Sequence, residues 1–217
     1  MGKKIPVIIA IVLITALLAG WYFFTRESKY LNTSAFKAVP TDSPFIVRIH
    51  NFSSFANKAA SDSVLNCFSG LPGFSTLLKQ IKLADSVLRF TPQAQKILDG
   101  KDLTITAEQV GGNSRLLYLL EMSGLTEKNK SFRLISNFFS QKNASSVKQK
   151  SGKASYTLYY WSEGPSTTTF AVSFYKGICI AGSDTAMISK AICQLELPSL
   201  EENPEFQKAY KTASPNA

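Results

Sequence analysis

The chain has 217 residues, of which 45% are apolar and 18% are charged, and its formal net charge is +9. This apolar content is sufficient for a folded core, so a disordered chain is excluded for most of the length. Three cysteines exclude a disulfide scaffold, and a single histidine excludes most histidine-based metal sites and makes a Ser-His-Asp site hard to build.

The first feature along the chain is Ile5–Phe24, a run of twenty residues without a charge. A helix of that length spans about 30 Å, which is the thickness of a bilayer core. Trp21 and Tyr22 lie where an aromatic belt at the membrane interface is expected. We therefore predict that residues 1–26 form a transmembrane signal-anchor that contacts the lipid bilayer through Ile5–Phe24.

The flanking charges do not determine the orientation of this segment in the membrane. Lys3 and Lys4 before it are balanced by Arg26 and Lys29 after it, so the positive-inside rule does not decide the topology. Because an N-terminal apolar segment usually directs the export of the residues after it, we expect a single-pass protein of the inner (cytoplasmic) membrane with its C-terminal domain in the periplasm. Cleavage after Ala19, as in a signal peptide, is the alternative interpretation.

Residues 27–37 are predicted to be a polar linker, and residues 38–217 an extracytoplasmic domain. Phe45–His50 alternates between apolar and polar residues and predicts a half-buried strand. His50 is on the polar face, and with no cysteine or carboxylate nearby in the sequence it is interpreted as an ordinary surface residue. Helical patterns follow in residues 53–60 and 63–68, in Phe74–Phe90 and in Thr91–Leu98.

The second half of the domain is rich in strands. Asp102–Val110 and Arg115–Met122 are predicted to form a hairpin around a turn at residues 111–114. A helix capped by Thr126 is then expected to end at Phe139. Its inward residues are predicted to be Phe132, Ile135, Phe138 and Phe139. Four further strands are predicted at Ala144–Lys150, Ser155–Trp161, Thr167–Tyr175 and Ile178–Ala181.

Two helices complete the predicted fold. Ser183 or Asp184 is expected to cap the first, which ends at Leu195, and the second is Pro204–Thr212. Tight turns between consecutive strands require antiparallel pairing. The fold class is therefore predicted to be α+β, a mainly antiparallel sheet with helices packed on one face, preceded by the N-terminal transmembrane helix.

Basic residues are concentrated from Lys128 to Lys153, across the predicted helix and the strand after it, and no acidic residue occurs in this stretch. They are Lys128, Lys130, Arg133, Lys142, Lys148, Lys150 and Lys153. Such a stretch indicates either contact with anionic lipids or glycans, or a solvated surface whose lysines keep an edge strand from pairing. The residues proposed to contact an anionic surface are Lys142, Lys148, Lys150 and Lys153.

The cysteines and the strand aromatics each leave two interpretations open. Cys67, Cys179 and Cys193 lack the spacing of a metal site and are interpreted as buried free thiols. A Cys179–Cys193 disulfide is the alternative outside the cytoplasm. The aromatic cluster of Tyr156, Tyr159, Tyr160 and Trp161 indicates core packing or, on a solvent face, stacking on sugars or peptides.

The order of patterns resembles a family of bacterial membrane-anchored proteins known as a domain of unknown function, the DUF3352-like group. The matching patterns are Ala38–Ser43, Phe74–Leu88, Leu103–Thr106, Leu117–Leu120, Gly182–Asp184 with Ile188–Leu195, and Phe206–Tyr210. The resemblance covers the anchor through Tyr210 and provides no site residues. It implies a longer chain with a second β-rich half, and the turn-like residues 213–217 also favour continuation.

No phosphate loop, GxGxxG, HExxH or paired-cysteine motif occurs. We therefore expect no catalytic residues, cofactor or metal, and a membrane-anchored cell-envelope protein with a non-catalytic binding or assembly domain. Its expected partner is an envelope protein or an anionic lipid or glycan. Nucleic acid is not expected, because an exported domain rarely meets it. The alternative is a carboxylate-based envelope enzyme that acts on glycan or cell-wall substrates.

Overall fold

The computed structural model describes residues 33–51, 98, 100–110, 113–163 and 165–212. The predicted membrane segment Ile5–Phe24 and the helices predicted before Leu98 lie outside the described residues, as does Cys67. Among the helices that are described, none has both the length and the apolar character needed to cross a membrane.

The described part is an α+β fold with one seven-stranded antiparallel sheet. The strands, with the bounds given in parentheses, occur in the spatial order β1-β2-β3-β7-β6-β5-β4. They are β1 (Phe45–Ile49), β2 (Leu103–Val110), β3 (Asn113–Glu121), β4 (Ser145–Ser151), β5 (Ala154–Glu163), β6 (Ser166–Tyr175) and β7 (Ile178–Gly182). The helices are α1 (Leu125–Gln141), α2 (Thr185–Gln194) and α3 (Pro204–Thr212), with short 3₁₀ turns at Ala35–Ala38 and Leu200–Glu202.

Tight turns explain why the second half of the sheet is a meander. Gly152 has φ 54° between β4 and β5, and Lys176 and Gly177 have φ 47° and 81° between β6 and β7. A left-handed conformation is easiest for glycine, and such turns match the twist of two paired antiparallel strands. The sheet therefore has an upper end, where β1, β3, β4 and β6 end, and a lower end, where the same strands begin.

Each face of the sheet is covered by a different helix. On the first face α2 and the Ala35–Ala38 turn pack over Leu117 and Leu119 of β3. On the second face α1 places Phe139 over Tyr159, with stacked ring centroids 4.2 Å apart. The prediction of helices on one face was wrong. Successive side chains of a strand point to opposite faces, and β3, β6 and β7 place apolar residues on both faces, so both faces must be shielded from water by a helix. Strand β3 is buried on both faces, with Leu117 and Leu119 in the first-face core and Leu120 in the second-face core.

Three local predictions are corrected. The first residue before α1 is Gly124, which offers no side-chain cap, so Thr126 lies inside the helix. Phe132, predicted to face inward, is 46% exposed, although its ring contacts Phe174 edge-on. The hairpin turn is also shorter than predicted, since Asn113 already pairs with Val110 in the β2–β3 ladder.

The capping prediction for α2 is confirmed. The Asp184 carboxylate accepts hydrogen bonds from the backbone N–H groups of Ala186 and Met187, at 2.8 and 3.1 Å. The same residue forms an ion pair with Arg115 of β3, at 2.6 Å. Asp184 therefore provides hydrogen-bond acceptors for the free N–H groups at the start of α2 and holds the lower end of this helix against the sheet.

The end of the predicted linker is part of the domain core. Phe36 is 2% exposed and Ala35 is buried, and both pack with the α2 cluster. The Phe36 ring lies edge-on against Phe206 and Tyr210 of α3, with centroids 5.4 and 5.3 Å away. Ala35 and Phe36, which the sequence assigns to the 27–37 linker, therefore pack in the core, and Phe36 contacts α3.

Candidate anionic-contact surface

The outermost strand β4 is the least buried strand of the described sheet. Six of its seven residues are exposed, and it pairs with β5 in a continuous antiparallel register. Lys148 and Lys150 lie opposite Thr157 and Ser155, which places them on the second face of the sheet, the face covered by α1. Val147, 44% exposed, lies on the first face.

Helix α1 contributes further cations to the same face. Lys128, Lys130 and Arg133 are exposed on α1, and Lys142 is the residue that ends it. Because α1 packs through Phe139 onto β5, next to β4, these side chains belong to the same side of the domain. We define the basic surface as Lys128, Lys130, Arg133, Lys142, Lys148 and Lys150.

The basic surface differs from most other basic residues of the described chain in its lack of carboxylate partners. Within the described residues, no carboxylate oxygen lies within 4.0 Å of any of its six cationic groups. Most basic side chains elsewhere do form ion pairs. These are Arg48, Lys101, Arg115, Lys153, Lys176, Lys190 and Lys208. The acid-free sequence from residue 128 to residue 153 explains the difference.

The four lysines proposed from sequence are spread along the β4 edge. Lys142 lies at the lower end, Lys148 and Lys150 along the strand, and Lys153 at the upper turn. The strand itself is about 20 Å long at roughly 3.3 Å per residue. Lys153 is separate from the others, because its Nζ lies 3.4 Å from a carboxylate oxygen of Glu196. Sequence reasoning did not select the α1 cations, although the same acid-free stretch contains them.

A second polar cluster lies at the upper end of β1. His50 is exposed there, as predicted for a surface residue, but a carboxylate does lie beside it. The His50 Nδ1 and the Arg48 guanidinium each lie 2.9 Å from Oδ2 of Asp102. Partial burial raises the pKa of Asp102, but the charges of Arg48 and His50 outweigh it and lower that pKa below its ordinary value. His50 therefore has a carboxylate neighbour, supplied by a residue 52 positions away in the chain.

This cluster holds the C-terminal helix in place. Arg48 donates a hydrogen bond of 3.1 Å to the Tyr210 hydroxyl, and its guanidinium carbon lies 5.3 Å from the centre of the Phe36 ring. The arrangement combines an ion pair with a cation–π contact. Its chemistry is that of a structural clamp between β1 and α3, since Asp102 is already neutralised by Arg48.

The remaining carboxylates near cations are also engaged in ion pairs. Lys101 lies 2.8 Å from Glu127 at the start of α1. Burial raises the pKa of Glu127, but the Lys101 bond and the Ser123 backbone N–H have the larger combined effect and lower it. In the part of the chain that the structure describes, no three His, Cys, Asp or Glu residues are grouped in a way that would hold a metal ion.

The two cysteines that the structure describes occupy opposite sides of the sheet. Cys179 is buried on the α1 face, where burial raises its pKa to about 12, whereas Cys193 is exposed on α2 over the other face. The Cys179–Cys193 disulfide alternative is therefore wrong, because the sheet separates the two thiols. The prediction of a buried thiol is confirmed for Cys179 and is wrong for Cys193.

The aromatic cluster on β5 is divided between the two faces. Tyr156 packs in the first-face core, and Tyr159 packs in the second-face core beside Trp161 and Phe139. Tyr160 is exposed. Core packing is thus confirmed for Tyr156 and Tyr159, and the strand does not present its aromatics as one solvent-facing platform.

No family model matches the chain, and no curated protein or solved structure shows significant similarity to it.

Proposed function

We propose that the chain is a membrane-anchored cell-envelope protein with a non-catalytic extracytoplasmic binding domain, and that its basic surface contacts an anionic partner. The observation on which the proposal depends is the set of six exposed cations on α1 and β4 that lack carboxylate partners among the described residues. A surface of this kind attracts polyanions and speeds their association at low salt.

Two further arguments support the membrane location. Ile5–Phe24 has the length and apolar character of a bilayer-spanning helix, and Ala35, a short distance further along the chain, already belongs to the described core. The proposal includes the transmembrane helix before the α+β fold and the placement of the fold in the periplasm. The resemblance to the DUF3352-like group is part of the same proposal, as this group is membrane-anchored.

Reporter fusions test the topology. A reporter that is active only outside the cytoplasm and a reporter that is active only inside it are each fused after residue 40. Activity of the first and silence of the second are expected. The opposite pattern would show that the domain is cytoplasmic and would refute the envelope location.

Charge removal tests the surface in the full chain, held in phosphatidylcholine nanodiscs. Binding to polyglutamate and to phosphatidylglycerol vesicles is measured at low and high salt. The variant Lys142→Gln, Lys148→Gln, Lys150→Gln should weaken binding by about tenfold or more, because each near-surface basic residue contributes about 1 kcal/mol to binding an anionic membrane.

A matched control removes the same number of charges elsewhere. Lys37, Lys208 and Lys211 are changed to glutamine, since they lie on the Ala35–Ala38 turn and α3, away from β4. This control should retain most of the binding. Equal loss in the two triple variants would show that only net charge matters, and absence of binding to both polyanions would refute the proposed surface.

No observation favours the carboxylate enzyme. A general acid of that type needs a carboxyl group whose pKa is raised. The described carboxyl groups with a resolved shift are Asp102, Glu127 and Glu196, and each pKa is lowered by hydrogen bonds and cationic neighbours.

A further inference from the structure

The edge strand β4 has the geometry needed to receive another strand. It is the last strand on its side of the described sheet, and its seven residues pair with β5 without a bulge. One side of a paired strand always presents backbone N–H and C=O groups outward. No proline interrupts Ser145–Ser151, so this row of donors and acceptors is complete.

The charges on β4 decide which strand can be added. In an antiparallel pairing of β4 with a second copy of itself centred on Lys148, the two Lys148 side chains would be directly opposed. Like charges in opposing positions destabilise a sheet, and β4 contains no acidic residue that would compensate. Lysine on an edge strand therefore disfavours self-association, whereas a strand with carboxylates at the facing positions gains attraction there.

The neighbouring helix strengthens this preference. Lys148 and Lys150 lie on the α1 face of the sheet, and Lys142, the residue that ends α1, comes just before β4 begins. An added strand with acidic side chains on that face would be attracted by these three lysines. On the opposite face it would lie beside Val147, which is exposed and apolar.

We infer that β4 binds an extended acidic segment of another protein by strand addition, with carboxylates at alternate positions facing Lys148 and Lys150 and an apolar side chain beside Val147. This inference rests on the proposed function, because it names the partner class for the same basic surface. Backbone hydrogen bonds contribute the affinity in such complexes, and the alternating side chains contribute the specificity.

The test measures peptide binding by fluorescence anisotropy to the full chain in phosphatidylcholine nanodiscs. The probe is a labelled peptide of the same length as β4 that alternates glutamate and valine. A second probe has the same sequence with methylated backbone nitrogens, so that it keeps its charges and loses its hydrogen-bond donors. Binding of the first probe and at least about tenfold weaker binding of the second are expected, because several backbone bonds are lost.

Charge reversal on β4 then tests whether the peptide binds at this strand. The double variant Lys148→Glu, Lys150→Glu should bind the glutamate probe at least about tenfold more weakly, because attraction at both cross-strand positions becomes repulsion. It should bind a probe that alternates lysine and valine more tightly than the unchanged chain does, because repulsion at the same positions becomes attraction. The control Lys208→Glu, Lys211→Glu makes the same charge change on α3 and should leave both affinities nearly unchanged. Circular dichroism checks that the exposed substitutions leave the fold intact.

Each contrary result has a separate meaning. Equal binding of the methylated and unmethylated probes would overturn strand addition while leaving electrostatic binding by the basic surface. Binding to phosphatidylglycerol vesicles without binding to the unmethylated probe would overturn the acidic-segment inference and leave the proposed function with a lipid partner. Failure of the probe, of polyglutamate and of the vesicles together would overturn both.

Discussion

The substitution Phe36→Ala tests whether the segment predicted from sequence to be linker is structural core. Phe36 is 2% exposed and contacts the rings of Phe206 and Tyr210 and the guanidinium of Arg48. Removing a fully buried phenyl ring typically costs about 3–5 kcal/mol, because apolar transfer energy is lost and a cavity remains. We expect a decrease in the free energy of unfolding within that range.

The measurement is urea unfolding of the full chain in neutral detergent, followed by far-ultraviolet circular dichroism. Phe132→Ala is the matched control, because it deletes the same ring from α1, where the side chain is 46% exposed. Its cost should be about 1 kcal/mol or less, as for a partly solvated edge contact. Equal costs for the two variants would refute the placement of Phe36 in the core.

A double-mutant cycle tests whether Phe36 anchors α3. Phe206→Ala removes a ring that lies edge-on against Phe36 and stacks on Tyr210. If the contact holds α3, the double variant should cost less than the sum of the single variants by about 0.5–1.5 kcal/mol. Additive costs would show that α3 does not depend on Phe36.

Two further predictions concern packing and pH. Gly182→Ala should cost about 1–3 kcal/mol in urea unfolding, since its Cβ would lie 2.7 Å from a β3 carbonyl oxygen, and the control Gly124→Ala, with open space, should cost little. Hydrogen bonds from the Tyr175 hydroxyl and then from Lys176 lower the pKa of Glu196 to about 2 from an ordinary 4.5. Ionised Glu196 therefore stabilises the folded state above pH 4.5, and this stabilisation is lost as pH falls toward 2. In the variant Glu196→Gln, the urea midpoint of unfolding should depend less on pH across that interval.

Local pattern predicts much of the strand-rich half of this fold. The five strands from residue 103 to residue 175 and the last strand were located because alternation and turn residues act within a few positions of the chain. Gly152, Gly177 and the Asp184 cap are examples in which one residue type satisfies one local geometry. The antiparallel pairing of β4 with β5, of β5 with β6 and of β6 with β7 follows from the short turns alone.

Contacts between distant residues were not predictable in this way. The Asp102 carboxylate that accompanies His50 is 52 residues away, and Arg48 contacts Tyr210 across 162 residues. The sequence assigns Phe36 to the linker because most residues from Ser28 to Ser34 are polar, although its contacts are with α2 and α3. Which helix covers which face of the sheet was not predictable either. The alternation of side chains along the strands indicates that both faces are apolar, but it does not indicate the face on which each helix packs.

The proposed binding role of the basic surface depends on a feature of the local sequence and on a feature of the folded structure. The sequence shows seven basic residues without an acid between residues 128 and 153, but the fold decides which of them are neutralised. Lys153 reaches Glu196, whereas Lys148 and Lys150 project from an edge strand with no described carboxylate in reach. Exposed, unpaired lysines contribute little to folding and repel one another, and for this reason the proposed function assigns them an anionic partner that would neutralise them.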